Sequence, residues 1–258
     1  MRLREYSNTI PKPMINIGYR PILWHVMKYY AFYGHKEFIL CLGYKADMIK
    51  DYFLNYSECL SNDFVLMHGG KKLDLLASDI QDWKITFIDT GIAASIGQRL
   101  KAVEEYIEED EIFLANYSDG LSDLPLPDHV SHFTENRTVA SFLSVKPIQT
   151  YHVVSIEDDF VSEIRHVSQS GIWMNAGYFI FRKDIFKYIQ DGEDLVNEPF
   201  QRLIQERQLL TYKYRGFFRC TDTFKEKQDL DDMQRRGDTP WEVWKSPRKR
   251  PRASLINA

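Results

Sequence analysis

The stretch Tyr6–Met27, Tyr-Ser-Asn-Thr-Ile-Pro-Lys-Pro-Met-Ile-Asn-Ile-Gly-Tyr-Arg-Pro-Ile-Leu-Trp-His-Val-Met, is the most informative part of the chain. It places Lys12 between two prolines in a short loop, and Pro21 stands where the first turn of a helix tolerates proline. Apolar residues then recur at helical spacing until Gly34, which is expected to end the helix. A cation on a stiff loop beside the start of a helix suits a phosphate group.

The composition is that of an ordinary globular protein. The chain has 258 residues, of which 44% are hydrophobic and 27% charged, which is enough to fill the core of one large domain. The net charge of −4 gives no reason to expect nucleic acid as a partner. No apolar run reaches the ~18 residues of a membrane span, and the N-terminus has no signal-peptide pattern. Three scattered cysteines form neither a disulfide framework nor a metal pair, so we expect a cytoplasmic protein without a membrane partner.

Strands and helices alternate through the first half of the chain. Apolar runs predict strands at 38–42, 64–68, 84–89, 111–117 and 138–145. Helical spacing predicts helices from 22 to about 34 and at 46–56, 95–107 and 128–136. This alternation implies an α/β, Rossmann-like domain with a mostly parallel, mixed sheet and helices on both faces.

The second half is expected to extend the same sheet as an α+β unit. Its predicted strands are 151–156, 160–166, 173–181 and 209–214, and its predicted helices are 183–189, 197–207 and 223–236. We therefore expect one domain over 1–244. The remainder, 245–258, is basic and broken by prolines, and a disordered end is favoured there over a contact with phosphates or an acidic partner.

Two aspartates are candidate metal ligands. Ligands bind beyond the carboxyl ends of strands in an open parallel sheet, and Asp119 lies just past the strand 111–117. A carboxylate there can hold Mg²⁺ together with water and substrate phosphates, although Asp119-Gly120 could simply form a turn. Asp222 precedes the last helix, where it could also be the N-cap. Spacing alone does not pair two residues so far apart.

Five segments resemble sugar-1-phosphate nucleotidyltransferases, and most closely the glucose-1-phosphate cytidylyltransferases. The loop around Lys12 resembles the loop that follows the nucleotide-binding signature of that family. The other four are similar to the family patterns DTGxxTxTGGRLK, Tyr-Gly-Asp-Gly-Val-Ser-Asp, WINGGFFV and GFWxxMDT, and lie at Asp89–Lys101, Tyr117–Asp123, Ile172–Ile180 and Arg215–Lys225. The resemblance extends from Arg2 to Trp244.

The resemblance implies a role for each matching residue. Lys12 and Arg2 would act in catalysis by stabilising charge on the departing pyrophosphate. Asp119 and Asp222 would hold Mg²⁺. Arg99 would lie near the nucleotide, although it could be an ordinary arginine on a surface helix. Asn175 and Gly177 would lie beside the sugar, although a glycine in a buried strand also serves close packing.

Gln98 and Ala94 replace a glycine and a threonine of the DTGxxTxTGGRLK pattern, and two larger departures bear on the site. The family has a strand and a glycine-rich loop, GGxGTRL, ahead of Lys12, and here only Arg2-Leu3 could belong to it. Without that strand we expect two neighbouring strands with unpaired backbone groups, marginal stability and weak binding of triphosphate. The family also places Glu-Lys-Pro before the WINGGFFV segment, where this chain has His166-Val167-Ser168; Arg165 or His166 could replace the lysine.

The resemblance therefore predicts a Mg²⁺-dependent enzyme that joins a nucleoside triphosphate to a sugar 1-phosphate. CTP and glucose 1-phosphate are the favoured substrates, the nucleotide sugar would serve polysaccharide biosynthesis, and a homo-oligomer is expected. The alternative is a truncated or catalytically impaired relative that binds sugar phosphate or nucleotide sugar without turnover. A metal-dependent glycosyltransferase ranks last, because Asp119 and Asp123 are too far apart for a D-x-D motif.

Overall fold

The computed structural model describes residues 10–107, 111–148 and 151–245. Arg2, for which the resemblance implies a catalytic role, lies outside the described residues. So does the predicted disordered end 245–258, except for its first residue, Lys245, which closes a 3₁₀ turn at Val243–Lys245. The strands are β1 (Asn16–Ile17), β2 (Arg20–Pro21), β3 (Glu37–Leu42), β4 (Phe64–Met67), β5 (Lys72–Leu75), β6 (Lys84–Asp89), β7 (Ile112–Asn116), β8 (Gly120–Ser122), β9 (Ala140–Val145), β10 (His152–Glu157), β11 (Phe160–His166), β12 (Met174–Arg182), β13 (Leu209–Tyr214) and β14 (Phe218–Cys220). The α-helices are α1 (Ile22–Phe32), α2 (Ala46–Leu54), α3 (Ile96–Lys101), α4 (Leu126–Asn136), α5 (Glu198–Gln205) and α6 (Phe224–Arg236).

A mixed four-stranded sheet forms the centre of the molecule, in the order β13-β9-β12-β7. β12 runs antiparallel to both β7 and β9, and β13 runs parallel to β9. It follows that β7, β9 and β13 point in one direction, so their carboxyl ends lie at the same edge of the sheet. That edge is where an α/β protein binds its ligands.

Helices cover both faces of this sheet, as the alternating sequence pattern predicts. On one face, Val26 and Tyr29 of α1 pack in a buried cluster with Leu143 and Tyr178 of the sheet. On the other face, the cluster of buried residues joins α3 and α5 to the opposite sides of β9 and β12, and it includes Leu100, Ala140, Phe179, Phe181 and Leu203. The fold is thus α/β with a mixed sheet between two helical layers.

A parallel pair, β3 and β6, lies in the same layer as the central sheet. Ile39 and Cys41 of β3 pack with Phe113 of β7 against one helical layer, whereas Phe38 and Leu114 pack against the other. No described strand joins the pair to the central sheet, so one edge of β3 and one edge of β7 have no strand partner among the described residues.

Five short strands are not predicted from the sequence. They are β1, β2, β5, β8 and β14, each two to four residues long. Gly120–Ser122, which follows the predicted strand 111–117, pairs antiparallel with Phe218–Cys220. The predicted helix 95–107 divides into α3 and a 3₁₀ turn at Glu104–Ile107, and the predicted helix 183–189 is a 3₁₀ helix at Lys183–Tyr188. Among the described residues, no helix has the length and apolar character to cross a membrane.

Candidate active site

The pairing of β8 with β14 brings together two aspartates from distant parts of the chain. Asp119 directly precedes β8, and Asp222 follows β14 by two residues. Gly120 is the strand partner of Cys220, and the backbone N–H of Thr221 donates to the carbonyl oxygen of Asp119 at 3.1 Å. Because the strands are antiparallel, the start of one meets the end of the other, so both carboxyl groups lie at the same end of this hairpin-like pair.

Lys12 bridges the two carboxylates. It begins a 3₁₀ turn at Lys12–Met14 that starts after Pro11. Its Nζ donates to Oδ1 of Asp222 at 2.6 Å and lies 4.0 Å from Oδ2 of Asp119. The prolines that flank Lys12 restrict the backbone, and a fixed backbone reduces the entropy lost when a long side chain is held in one place.

The charges at this site perturb one another. Burial, together with the neighbouring Asp222 carboxylate, raises the pKa of Asp119 to about 6. Partial burial acts to raise the pKa of Asp222 as well, but the hydrogen bond and charge of Lys12 outweigh it and leave that pKa lowered. The same pairing overcomes burial at Lys12 and raises the pKa of its ammonium. The site therefore favours an added positive charge near Asp119.

These donors fit a hard divalent cation. Carboxylate oxygens are ligands that Mg²⁺ prefers, and the Lys12 ammonium already shows that the two aspartates hold a cation between them. Cys220 and Glu226 also lie near Asp222. Burial raises the pKa of the Cys220 thiol to about 12, and Glu226 accepts hydrogen bonds from the backbone of Asp222 and Thr223. Asp119 and Asp222 are accordingly better suited to bind a metal ion than Cys220 and Glu226. Their role as metal ligands stays a prediction.

The interpretation of Asp222 as a helix cap is wrong. Thr223 is the N-cap of α6, and it forms a capping box with Glu226: the Thr223 hydroxyl accepts from the backbone of Glu226, whose carboxylate accepts from the backbone of Thr223. The carboxylate of Asp222 is therefore not needed by the helix and is available to Lys12 or to a cation.

Asn175 and Gly177 lie at an irregularity in β12, where the pairing with β9 shifts register. The side-chain oxygen of Asn175 accepts from the N–H of Gly177 at 2.9 Å, and the N–H of Tyr117 donates to the carbonyl of Gly177 at 3.1 Å. Gly177 has φ of +73°, and a Cβ there would lie 2.6 Å from the Tyr117 ring. Close packing thus requires this glycine, and both residues lie next to the chain that leads to Asp119.

Tyr117 is a further candidate site residue, which the reasoning from sequence did not select. Burial raises the pKa of its hydroxyl to about 12, and a hydrogen bond with Asn175 acts in the other direction. It is two residues from Asp119 and opposite Gly177. Its place at the end of the strand 111–117 is the signal that could have identified it.

The guanidinium of Arg99 forms hydrogen bonds within the protein. Its Nη1 donates to the carbonyl of Leu42 at 3.0 Å and to Oγ1 of Thr90 at 2.8 Å. The guanidinium therefore ties the carboxyl end of β3 to the loop after β6, rather than standing on an open helix surface. In the described part of the chain, no hydrogen bond or ion pair links Arg99 to Lys12, Asp119 or Asp222. Its role towards nucleotide stays a prediction.

Other candidates have local partners. The carboxylate of Asp123 accepts from the hydroxyl of Tyr214 at 2.5 Å and from the backbone N–H of Phe217 at 2.8 Å, which gives it a structural role. Arg165 pairs with Glu163 across one residue of β11. Nδ1 of His166 accepts from the backbone N–H of Ser168 at 3.3 Å. Arg165 and His166, the two candidates to replace the absent lysine, therefore each have a partner within the protein.

Comparison with known proteins identifies relatives over nearly the whole chain. The probable glucose-1-phosphate cytidylyltransferase of Bacillus subtilis (strain 168) is 34% identical over 245 residues, which cover 94% of this chain and 95% of that protein. The glucose-1-phosphate cytidylyltransferase of Salmonella typhi is 32% identical, with the same shares of 94% and 95%. No protein-family model matches the chain.

Solved structures agree in fold. HddC from Yersinia pseudotuberculosis has a TM-score of 0.62 and 20% identity, and the match covers 91% of this chain and 94% of that one. A UDP-glucose pyrophosphorylase complexed with UDP-glucose has a TM-score of 0.64 and 14% identity, with 90% and 93% covered.

The fold and the sequence relatives define this protein as an enzyme of the sugar-1-phosphate nucleotidyltransferase class. Within that class, the chain belongs to the glucose-1-phosphate cytidylyltransferase family.

Proposed function

We propose that this protein joins CTP and glucose 1-phosphate to give CDP-glucose and pyrophosphate, with Mg²⁺ held by Asp119 and Asp222. Two relatives whose printed names state this activity are 32% identical over 94% of the chain, which supports the choice of base and sugar. The observation that carries the proposal is the meeting of Lys12 with both carboxylates, at 2.6 Å and 4.0 Å.

The reaction needs positioning and charge neutralisation more than covalent chemistry. An oxygen of the sugar phosphate attacks the α-phosphorus of the triphosphate, and pyrophosphate leaves as the bond to it breaks. Both reactants are anions, so a preorganised positive charge lowers the barrier. Mg²⁺, when bound, would neutralise phosphate charge and polarise the attacked group.

Different residues of the chain would have different roles in this reaction. The two aspartates hold the cation, and the ammonium of Lys12, once released from Asp222, is free to stabilise charge on the departing pyrophosphate. Asn175 and Gly177, on the neighbouring strand, would position the sugar. Loss of one preorganised donor of this kind typically costs ~3 kcal/mol of barrier, or a factor of roughly 10² in rate.

The test is an assay of product formation. The protein is incubated with Mg²⁺, each of several triphosphates and each of several sugar 1-phosphates, and the nucleotide sugar and pyrophosphate are quantified. We expect the fastest turnover with CTP and glucose 1-phosphate, and at least a ~10²-fold loss in the variant Asp222→Asn. Asp229→Asn, at an exposed position on α6, is the matched control. Absence of nucleotide sugar with every substrate pair, from folded protein, would contradict the proposal.

A non-catalytic relative is the alternative, and the replacement of Glu-Lys-Pro by His166-Val167-Ser168 favours it. Calorimetry separates the two. If the protein binds glucose 1-phosphate or nucleotide sugar and yields no pyrophosphate with any substrate pair, the alternative holds.

A further inference from the structure

The indole ring of Trp173, just ahead of β12, lies among three cationic side chains. The charged groups lie 4.5 Å, 5.8 Å and 5.7 Å from the ring centre and belong to Lys146, Lys213 and Arg215. We call Trp173 and these three residues the Trp173 cluster. Nζ of Lys146 also donates to the carbonyl of Ile172 at 3.2 Å, which holds it beside the start of β12.

The Trp173 cluster lies at the ligand-binding edge of the sheet. Lys146 directly follows the last residue of β9, and Arg215 directly follows the last residue of β13. β9 and β13 run parallel to β7, and Asp119 follows the carboxyl end of β7. The cluster and the candidate metal site therefore lie along one edge of a single four-stranded sheet, and Asn175 follows Trp173 by two residues.

The positive charges of the cluster are uncompensated. No ion pair joins any of its three cations to a carboxylate within the described ranges, and Lys213 and Arg215 are exposed. Three like charges that each lie within 5.8 Å of one ring centre repel one another. Cation–π attraction offsets only ~0.5–1 kcal/mol for each exposed group. An anion bound among them would relieve the repulsion and would add charge-assisted hydrogen bonds.

We propose that the Trp173 cluster binds the phosphate group of the sugar 1-phosphate. This inference rests on the proposed function for the identity of the ligand, whereas the site itself follows from the uncompensated charge and its place on the sheet. A phosphate monoester carries close to two negative charges and presents three oxygens, which suits several converging cations. The cluster would supply the positive charge that the family's Glu-Lys-Pro lysine provides for the sugar phosphate. Arg165 and His166 do not supply it, because each is held by a local partner.

Calorimetric titration with glucose 1-phosphate, in the absence of nucleotide, tests the proposal. The double variant Lys213→Met/Arg215→Met removes two exposed charges from the cluster. The matched control is Lys50→Met/Arg236→Met, which removes one exposed lysine and one exposed arginine elsewhere and changes the net charge equally. Circular dichroism and thermal unfolding verify that each variant is folded. We expect at least a ~10-fold loss of affinity in the cluster variant and unchanged affinity in the control.

Further titrations fix the chemistry of the ligand. Inorganic phosphate is expected to compete with glucose 1-phosphate and glucose is not, and the affinity is expected to fall with added salt. CTP affinity is expected to be the same in the cluster variant and the parent. Equal affinity of parent and cluster variant for glucose 1-phosphate would overturn the proposal, as would no measurable binding by the parent or a loss confined to CTP.

These measurements separate the two proposals. Binding of glucose 1-phosphate requires no turnover, so a protein that binds it through the cluster and makes no nucleotide sugar would contradict only the proposed function. A protein that makes nucleotide sugar and binds glucose 1-phosphate equally well in both double variants would contradict only the role of the cluster.

Discussion

At the scale of the residue, Lys12 and a metal ion would compete for the same two carboxylates. The ammonium lies 2.6 Å from Asp222 and 4.0 Å from Asp119, in the space that a shared cation would need. In the proposed mechanism, Lys12 would hold the two carboxylates together before substrates bind and would become available to phosphate when a divalent cation takes its place. The ion pair is partly exposed, so its own contribution to stability is small.

Replacement of Lys12 by methionine is expected to change metal affinity and turnover in opposite directions. Without the competing ammonium, the substrate-free protein should bind Mn²⁺ more tightly, whereas loss of charge stabilisation should slow turnover by roughly 10²-fold. Manganese binding followed by electron paramagnetic resonance gives the first quantity, and the product assay gives the second. Lys50→Met is the control. Unchanged or weaker Mn²⁺ binding by Lys12→Met would show that no competition exists.

The raised pKa of Asp119 predicts a dependence of stability on pH. Folded protein keeps the proton of this carboxyl up to pH about 6, whereas an unfolded chain releases it near ~4. The folded state binds more protons between these values, so its stability falls as the pH rises through that window. Asparagine does not ionise, so metal-free Asp119→Asn should be more stable than the parent at pH 8, on the order of 1–3 kcal/mol, and similar at pH 4.

Urea unfolding at the two pH values, with a chelator present, gives the free energy of unfolding for both proteins. Asp229→Asn should show no such difference between the pH values. If Asp119→Asn is no more stable than the parent at pH 8, ionisation of the Asp119 carboxyl does not destabilise the folded protein, which would contradict this prediction.

At the scale of the element, the bend in β12 depends on one glycine. Gly177→Ala would place a methyl group 2.6 Å from the Tyr117 ring at φ of +73°. We expect a loss of ~2–4 kcal/mol in the free energy of unfolding, because both the backbone and the packing are affected. Gly192→Ala is the matched control, since its φ is +83° and no atom lies within 4 Å of the added group; it should lose ~1 kcal/mol. Equal losses from thermal or urea unfolding would refute the packing argument.

The elements that the sequence predicts well are those with long apolar patterns. β3, β6, β9 and α1 each combine a clear period with a turn or proline boundary, and their observed bounds differ from the predicted ones by at most two residues. β8 and β14 lack such a pattern, since each is three residues long and forms only by pairing with the other, about a hundred positions away. Pairing of that kind is a property of the tertiary fold and has no local signal.

The candidate site also combines residues whose placement the sequence predicts with residues whose placement it does not predict. The positions of Asp119 and Lys12 follow from the ends of predicted elements, whereas the meeting of Asp119 with Asp222 depends on β8 and β14. The family resemblance implies that Asp119 and Asp222 form a pair, whereas their spacing in the sequence does not. The use of Arg99 by the carbonyl of Leu42 depends on loop conformation. No pattern in the sequence reports which backbone carbonyls a guanidinium will reach.

At the scale of the whole molecule, two hairpins expose apolar faces. Strand pairing puts Phe64 opposite Leu75 and Leu66 opposite Leu73 on the 64–75 hairpin. On the 152–166 hairpin it puts Val154 opposite Ile164 and Ile156 opposite Val161. These eight side chains are exposed. The tips carry opposite charge, with Lys71-Lys72 on the first hairpin and Glu157-Asp158-Asp159 on the second. We expect a homo-oligomer in which the first hairpin of one copy contacts the second hairpin of another.

Two variants test this assembly. Leu66→Asp and Ile156→Asp each alter one hairpin, so each alone is expected to be monomeric by sedimentation velocity. Mixed together they should form 1:1 dimers, because each retains the surface that the other lacks. Leu54→Asp, at a residue that is 83% exposed outside both hairpins, is the control. A monomeric parent, or either hairpin variant with the mass of the parent, would rule out this mode of assembly.

Asp119 and Asp222 are proposed to share one divalent cation, and a double-mutant cycle of metal affinities tests whether they do. Mn²⁺ affinity is measured for the parent, Asp119→Asn, Asp222→Asn and the double variant by electron paramagnetic resonance. Residues that bind one ion are strongly coupled. We predict one site in the parent, lost almost completely in each single variant, with little further loss in the double variant. Parent-like Mn²⁺ binding in either single variant, or independent and additive losses, would contradict the claim.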